Sequence, residues 1–243
     1  MDLNGKIALV TGGAKRLGKT IVHALAERGC QVVVHYHTSQ TEAEETLNEL
    51  HTSGHEAIVL QADITKEADV ENMIKQAVER FGRIDVLVNN AAVFYRSPID
   101  TVTFDDWEQI INVNLTGTFL CAHKIGLRMR EWGWGHIINM ADVAGQRPWA
   151  DYIPYSVSKA CVLTFSQGLA MELAPKVMVN AVVPGPMLFQ DDTPRKVQQR
   201  EIEKTLVKHA GTPEEVAKLV VFVAESDFST GSVFSVDGGR SLA

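Results

Sequence analysis

The sequence has few cysteines, and their positions suit neither disulfides nor a zinc site. Cys30, Cys121 and Cys161 are odd in number, far apart and set among apolar residues, whereas disulfide frameworks and zinc sites use characteristic spacings. No apolar run reaches the roughly 18 residues of a membrane span, and the first residues lack the basic segment and cleavage site of a signal peptide. We therefore expect a reduced protein in the cytoplasm.

Positive charge is also scarce. The 243 residues include 23 Lys and Arg against 30 Asp and Glu, which gives a formal net charge of -7. An acidic surface does not attract nucleic acid or an anionic membrane. Because 45% of the residues are hydrophobic, the chain can bury the core of one domain covering 1–243. We expect its partner to be a small molecule.

Short β-branched runs alternate with segments of helical period along the chain. The runs are KIALVTG, QVVVHY, EAIVLQ, IDVLVNN, HIINMA, VMVNAVVP and SVFSVDGG, and helices are predicted at about 16–29, 41–53, 66–81, 104–131 (in two stretches), 155–174 and 213–224. Strands that are apolar on both faces indicate a parallel sheet covered by helices on both sides. Right-handed crossovers then predict a doubly wound α/β sheet of about seven strands.

One segment, 187–210, breaks this pattern because charged residues replace the apolar runs. It has two interpretations, a solvated surface helix or a mobile lid beside a ligand site. The segment leaves the carboxyl end of a predicted strand, which is where this architecture binds ligands.

A glycine-rich turn, TGGAKRLG, joins the first strand to the first helix. Gly12 and Gly13 permit a tight backbone and Gly18 permits close helix packing. Backbone N–H groups at the start of that helix suit a pyrophosphate. The turn differs from the usual G-x-G-x-x-G because Arg16 stands where a glycine is common.

The end of the second strand, HYHTS at 35–39, contains no acidic residue. A carboxylate there would accept from the free ribose 2′-OH of NAD. Arg16, with His37 and Ser39 nearby, would instead donate to a 2′-phosphate, so we expect NADP(H). His35 and His37 alternate onto one face but have no third ligand at a suitable spacing, so we expect no metal.

Several motifs occur together in a characteristic order: TGGAKRLG, NNAA at 89–92, Asn114 in INVNLTG, YSVSK at 155–159, PG at 184–185 and VDGG at 236–239. With these motifs the chain resembles the short-chain dehydrogenases/reductases over its whole length. The resemblance implies a Rossmann-type fold, nicotinamide-dependent hydride transfer and, in many members, a homotetramer.

The resemblance also implies roles for individual residues. It places Asn114, Tyr155 and Lys159 in the active site, with Asp142 where the family usually has a serine. Asp63 would lie by the adenine, Asn89 near the cofactor ribose or the structure around it, and the PG turn near the nicotinamide carboxamide. The full implied cofactor site is Gly12, Arg16, Leu17, Gly18, His35, Tyr36, His37, Ser39, Asp63, Asn89, Ala91, Tyr155, Lys159, Pro184, Gly185 and Leu188.

Four departures from the common family pattern resemble the pteridine reductase and dihydromonapterin reductase branch. They are the arginine in the first turn, HYH after the second strand, aspartate for serine at 142, and PGPMLFQDD. Phe94 falls where that branch has an aromatic ring that stacks on the pterin, although Ala92 stands where some of these enzymes have a serine. Trp149, Tyr152 and Met187 are further candidates for the substrate pocket.

Tyr155 and Lys159 are four residues apart and share one face of a predicted helix. A lysine ammonium, together with the positive ring of the oxidised cofactor, would lower the tyrosine pKa from about 10 toward neutrality. An ionised Asp142 can only accept hydrogen bonds, so it suits a ring C=N bond better than a ketone, beside which it would have to be protonated.

We therefore expect NADPH-dependent reduction of a dihydropterin to a tetrahydropterin, with proton delivery by Tyr155 and Asp142. The alternative is reduction of a carbonyl, such as that of a 3-oxoacyl-carrier-protein. A nonenzymatic NADP(H) sensor is a further hypothesis.

Overall fold

The predicted doubly wound parallel sheet is confirmed. The computed structural model describes residues 2–189 and 193–243, and within them seven strands pair in parallel in one sheet. The strands are β1 (Ile7–Val10), β2 (Gln31–Tyr36), β3 (Ala57–Gln61), β4 (Val86–Asn89), β5 (Gly135–Met140), β6 (Val177–Pro184) and β7 (Val233–Val236). Their order across the sheet is β3-β2-β1-β4-β5-β6-β7.

Helices connect the strands and cover both faces of the sheet. Their bounds are α1 (Arg16–Glu27), α2 (Gln40–Thr52), α3 (Glu67–Phe81), α4 (Phe104–Ile111), α5 (Gly117–Trp132), α6 (Val143–Gln146), α7 (Ile153–Leu173), α8 (Arg195–Glu203) and α9 (Pro213–Glu225). A π-helical turn, Asn112–Thr116, links α4 to α5. The periodicity of 104–131 predicts two helical stretches but gives no sign of this turn.

The hydrophobic core lies on both faces of the sheet. Along β1, Ala8 and Val10 pack toward α1 and α9, whereas Ile7 and Leu9 pack toward α3 and α5. Successive residues of a strand point to opposite faces, so a strand that is covered twice needs an unbroken apolar run. This explains why the strands are apolar throughout.

The strand order changes direction at β1, which pairs with β2 on one side and with β4 on the other. Doubly wound sheets bind ligands in the crevice at the carboxyl ends of such strands. The glycine turn follows β1, and the NNAA motif follows β4. Both motifs therefore meet at this crevice.

The charged segment 187–210 contains α8. Glu201 of this helix pairs with the buried Arg240, the two side chains being 3.2 Å apart. Residues 190–192 lie outside the described part of the chain, and the role of the segment as a lid stays a prediction. In the described residues no helix is both long and apolar enough to cross a bilayer.

Candidate active site

A cavity of about 620 Å³ opens at the carboxyl ends of β1, β2 and β4. Ten of the residues predicted to hold a cofactor line it: Gly12, Arg16, Leu17, Gly18, His35, Tyr36, His37, Ser39, Asp63 and Ala91. Other lining residues were not predicted, and most directly adjoin a predicted position: Ala14, Lys15, Thr38, Ile64, Thr65, Asn90, Ala92, Val93, Gln109, Asn112 and Val113.

The glycine turn brings two backbone segments very close together. A Cβ atom on Gly18 would lie 2.0 Å from the carbonyl oxygen of Gly12, so no other residue fits there without movement. Gly12 itself has a φ of +62°, which favours glycine. The Asn90 amide donates to the carbonyl oxygens of Thr11 and Gly12 at 3.0 and 3.1 Å. Asn90 thus fixes the turn, a role that sequence reasoning missed although the residue belongs to the quoted NNAA motif.

His35 supports the glycine turn through a hydrogen bond to its backbone. Its Nδ1 accepts from the backbone N–H of Gly12 at 3.0 Å, and its Nε2 lies 3.0 Å from the carbonyl oxygen of Ala62. Burial lowers the His35 pKa to about 4, so the ring is neutral and Nε2 carries the proton. Both ring nitrogens are engaged within the protein, which makes His35 a support of the cofactor turn; His37, by contrast, is exposed at the cavity.

Two cationic residues, Lys15 and Arg16, line the cavity together with the exposed His37. Arg16 has the left-handed φ of +53°, and its Nη2 donates to the carbonyl oxygen of Phe189 at 3.2 Å. Lys15 lies 3.4 Å from Glu42. The sequence prediction used Arg16 and overlooked Lys15 beside it.

The other predicted cofactor residues lie away from the lining of this cavity. The Asn89 side chain is buried and donates to Asn139 at 2.8 Å. The turn at 184–185 packs against the VDGG motif, since a Cβ on Gly185 would lie 2.5 Å from Cα of Asp237. Leu188 is exposed. Their predicted contacts with a cofactor stay predictions.

Asp142, Tyr155 and Lys159 come together at the ends of β5 and α7. The Tyr155 hydroxyl donates to Oδ2 of Asp142 at 3.1 Å. Lys159 Nζ donates to the carbonyl oxygen of Met140 at 2.8 Å and lies 5.8 Å from the centre of the Tyr155 ring. The aspartate and the tyrosine, 13 residues apart in the sequence, are thus joined by a direct hydrogen bond.

Asp142 has a structural task as well as its contact with Tyr155. It is the N-cap of α6, and its Oδ1 accepts from the backbone N–H of Ala144 at 2.7 Å. Burial raises the Asp142 pKa to about 6, although the Ala144 N–H, the charge of Lys159 and the Tyr155 hydroxyl oppose this shift. The carboxyl group therefore exchanges its proton close to neutral pH.

The expected lowering of the Tyr155 pKa is wrong for this structure. Burial and the negative charge of Asp142 hold the Tyr155 pKa well above its ordinary value. Burial also lowers the Lys159 pKa to about 8, against the attraction of Asp142. The carboxylate, rather than the ammonium, contacts the phenol, so Tyr155 keeps its proton and is suited to donate it.

Asn114 is fully buried in the π-helical turn. Its Oδ1 accepts from the N–H of Val93 at 2.8 Å, and its Nδ2 donates to the Val93 carbonyl oxygen and the Ser158 hydroxyl at 3.0 and 3.2 Å. These contacts fix the segment that carries Phe94 to the helix that carries Tyr155.

An aromatic wall formed by Phe94, Trp149 and Tyr152 stands beside Tyr155. The rings of Phe94 and Tyr152 are stacked, with centres 4.9 Å apart and an interplanar angle of 6°. Tyr155 meets Phe94 edge-on at 4.7 Å. Tyr152 thus covers one face of the Phe94 ring. The half-buried Met187 packs against the core cluster beneath α1 and α9, and its place in the substrate pocket stays a prediction.

The motifs and this geometry agree with a comparison to known families. A family model described as enoyl-(acyl carrier protein) reductase matches residues 12–241, nearly the whole chain. The chain belongs to the short-chain dehydrogenase/reductase family. As an oxidoreductase of this family, it carries the Tyr155 and Lys159 pair and departs from the common pattern at Asp142.

Relatives of this short-chain dehydrogenase/reductase have different named activities. A 3-oxoacyl-[acyl-carrier-protein] reductase of Synechocystis sp. is 38% identical, over 98% of this chain and 97% of the relative. Glucose 1-dehydrogenase 2 of Bacillus subtilis is 34% identical, over 99% of this chain and 96% of the relative. The crystal structure of a blue fluorescent protein from a metagenomic library, in complex with NADPH, has a TM-score of 0.91 at 33% identity and 99% coverage of both chains.

These names favour the carbonyl alternative over the expected pterin. Neither curated relative is named for a pterin. The resemblance to the pteridine reductase branch therefore rests on this chain's own residues, chiefly Asp142 and Phe94.

Proposed function

We propose that this short-chain dehydrogenase/reductase uses NADPH to reduce a ring C=N bond, as in the conversion of a dihydropterin to a tetrahydropterin. The observation that carries the proposal is the hydrogen bond from Tyr155 to Asp142 Oδ2 at 3.1 Å. It puts a carboxyl group where the family usually has a serine hydroxyl, and this changes which substrate atoms the site favours.

The proposed cofactor fits the cavity described above. The tight turn at Gly12 and Gly18 keeps backbone close to a ligand, as a pyrophosphate site requires. Lys15, Arg16 and His37 supply donors for a 2′-phosphate, and HYHTS supplies no carboxylate to repel it. The NADPH held by the blue fluorescent relative supports the same choice. When bound, NADPH supplies the hydride.

The proton is proposed to come from the coupled pair Asp142 and Tyr155. Tyr155 keeps its proton at neutral pH because burial and Asp142 raise its pKa. As Tyr155 protonates the ring nitrogen, the charge of Lys159 stabilises the phenolate until the pair takes up a proton again from solvent. The two groups share a hydrogen bond and titrate together, so the pair rather than either residue is the acid.

A pterin suits the chemistry of this pocket. An ionised carboxylate accepts hydrogen bonds and repels a developing alkoxide, whereas the ring N–H groups of a pterin are donors. The wall of Phe94, Trp149 and Tyr152 supplies apolar faces for a flat heteroaromatic ring.

Carbonyl reduction is the second candidate, and the names of the relatives support it. In that reaction a protonated Asp142 would have to donate to the ketone oxygen. Because burial raises the Asp142 pKa to about 6, carbonyl reduction that depends on its proton should be faster below pH 6 than above it. A nonenzymatic sensor has no need of the hydrogen-bonded acid pair. The homotetramer and the cytoplasmic location stay predictions.

Steady-state NADPH oxidation separates the two candidates. Dihydrobiopterin and dihydromonapterin are compared with a 3-oxoacyl thioester, each at pH 5.5 and 7.5. We expect turnover of a dihydropterin with a higher kcat/KM than that of the thioester. Turnover of the thioester alone would overturn the pterin proposal, and no turnover of any of them, with NADPH still bound, would favour the sensor.

A further inference from the structure

We propose that Arg96 and Asp151 form a clamp that positions the aromatic wall of the substrate pocket. The inference rests on the proposed function in one respect, that the wall of Phe94 and Tyr152 contacts the substrate. It assigns a specificity role to two residues that lie outside the catalytic group and outside the lining of the cofactor cavity.

The clamp joins two loops at the points where each carries one ring of the stacked pair. Phe94 lies on the loop after β4, and Arg96 follows it by two residues. Tyr152 lies just before α7, and Asp151 directly precedes it. The stacking of the two rings, 4.9 Å apart, therefore depends on how these loops are held together.

Side-chain and backbone contacts both hold the loops. Arg96 donates from Nε and Nη2 to Oδ2 of Asp151, at 3.1 and 2.7 Å. The backbone N–H of the buried Ser97 donates to the carbonyl oxygen of Asp151 at 2.6 Å, and Ser97 forms an isolated parallel bridge with Tyr152. The ion pair thus flanks a short strand-like junction.

Asp151 has a backbone conformation that is costly for most residues. Its φ is +64°, in the left-handed region that non-glycine residues seldom adopt, although aspartate and asparagine tolerate it best. Such conformations persist where surrounding contacts fix them, and they are common at ligand sites. Here the fixed residue is the one that sets the direction of Tyr152.

The exposure of the pair argues against a role in global stability. The side chains of Arg96 and Asp151 are 66% and 39% exposed, and ion pairs this exposed contribute little to folding. Loss of the pair should therefore leave the fold intact and let the two loops move relative to each other. The effect should fall on substrate binding, since neither Arg96 nor Asp151 takes part in the hydrogen bonds that Asp142 makes with Tyr155 and Ala144.

Kinetics of Arg96→Gln and Asp151→Asn test the clamp, and asparagine retains tolerance for the left-handed backbone. We expect KM for a dihydropterin to rise about three- to fivefold, with kcat within twofold of wild type and the Kd of NADPH unchanged. Arg96→Lys keeps a positive donor and should recover part of the KM change. Arg80→Gln, which removes the exposed ion pair with Glu56, is the matched control and should leave KM unchanged.

Two results would overturn the clamp. One is an unchanged KM in both variants, and the other is a parallel loss of kcat, NADPH binding and thermal stability, which would indicate general destabilisation. If wild type reduces only the thioester, the pterin proposal fails, and the same separation of KM from kcat, measured with the thioester, decides the clamp. If no substrate turns over, the Kd of a dihydropterin for the NADP-loaded protein is measured from the quenching of tryptophan fluorescence. This Kd should rise about three- to fivefold in Asp151→Asn, and an unchanged Kd would contradict the clamp.

Discussion

Asp142→Asn should remove a pH dependence from the stability of the protein. Burial raises the pKa of this carboxyl group from 3.8 to about 6. Below pH 3.8 the group is protonated in the folded and unfolded states alike, and its full contribution to stability is present. As the pH rises through 6, the unfolded state releases the proton more readily than the folded state, so wild-type stability falls.

The size of the effect follows from the shift in pKa. A rise of roughly two pKa units is equivalent to about 3 kcal/mol at high pH, since each unit is worth about 1.4 kcal/mol. Between pH 4 and pH 7 the change is about 2 kcal/mol, because part of the difference is already present at pH 4. Asparagine does not titrate; its Oδ1 can still accept from the Ala144 N–H, and its Nδ2 can donate to the Tyr155 hydroxyl. The advantage of Asp142→Asn over wild type should therefore grow by about 2 kcal/mol across this range.

Urea denaturation at pH 4, 5, 6 and 7 measures this difference from the midpoints at constant slope. Asp105→Asn, at the exposed start of α4, controls for the loss of one negative charge. If the stabilities of wild type and Asp142→Asn run parallel from pH 4 to 7, the pKa of Asp142 is not raised and its proposed part in proton delivery loses its physical basis.

Two further predictions concern the acid and the cofactor. Tyr155→Phe removes the only hydroxyl that donates to Asp142 in the described structure, so turnover should fall by about 10²- to 10⁴-fold while the Kd of NADPH stays within about twofold. Stopped-flow NADPH oxidation measures the turnover, and fluorescence titration measures the Kd. Retained turnover would show that Tyr155 is not the acid. Arg16→Ala should weaken the binding of NADPH about tenfold more than that of NADH, because a charge-assisted contact with the 2′-phosphate is lost. Equal weakening of both would indicate that other donors, such as Lys15, bind the 2′-phosphate.

The fold was predictable because local patterns and packing agree. Doubly covered strands need unbroken apolar runs, and the run at 6–12 shows this directly as alternate residues of β1 enter the two core clusters. The tyrosine and lysine were predictable because a spacing of four residues places both on one helix face. The hydrogen bond from Tyr155 to Asp142 joins residues that α6 and the start of α7 bring together, and the family motif anticipated it.

Other features depend on tertiary contacts that no local pattern records. The direction of the Tyr155 pKa shift depends first on burial and then on the negative charge of Asp142, which accepts from the phenol, whereas the ammonium of Lys159 donates to Met140. His35 lines the cavity as predicted, but no local pattern indicates that its ring nitrogens are engaged by Gly12 and Ala62 from two other segments.

The packing of Met187 also depends on tertiary contacts. Its hydrophobic side chain suits a substrate pocket and the core equally, and only the structure shows that it packs against a core cluster. The stacking of Tyr152 on Phe94 was likewise hidden, because 58 positions separate the two residues along the printed sequence.

One comparison between wild type and Asp142→Ser tests whether Asp142 selects a ring C=N bond. The quantity compared is the ratio of kcat/KM for a dihydropterin to kcat/KM for a 3-oxoacyl thioester. A serine hydroxyl can donate to a ketone oxygen, whereas an ionised carboxylate cannot. We expect the ratio to fall by about tenfold or more in Asp142→Ser, equivalent to a differential loss of about 1.4 kcal/mol in the transition state. An equal loss of both activities, or a larger loss with the thioester, would contradict the proposed role of Asp142.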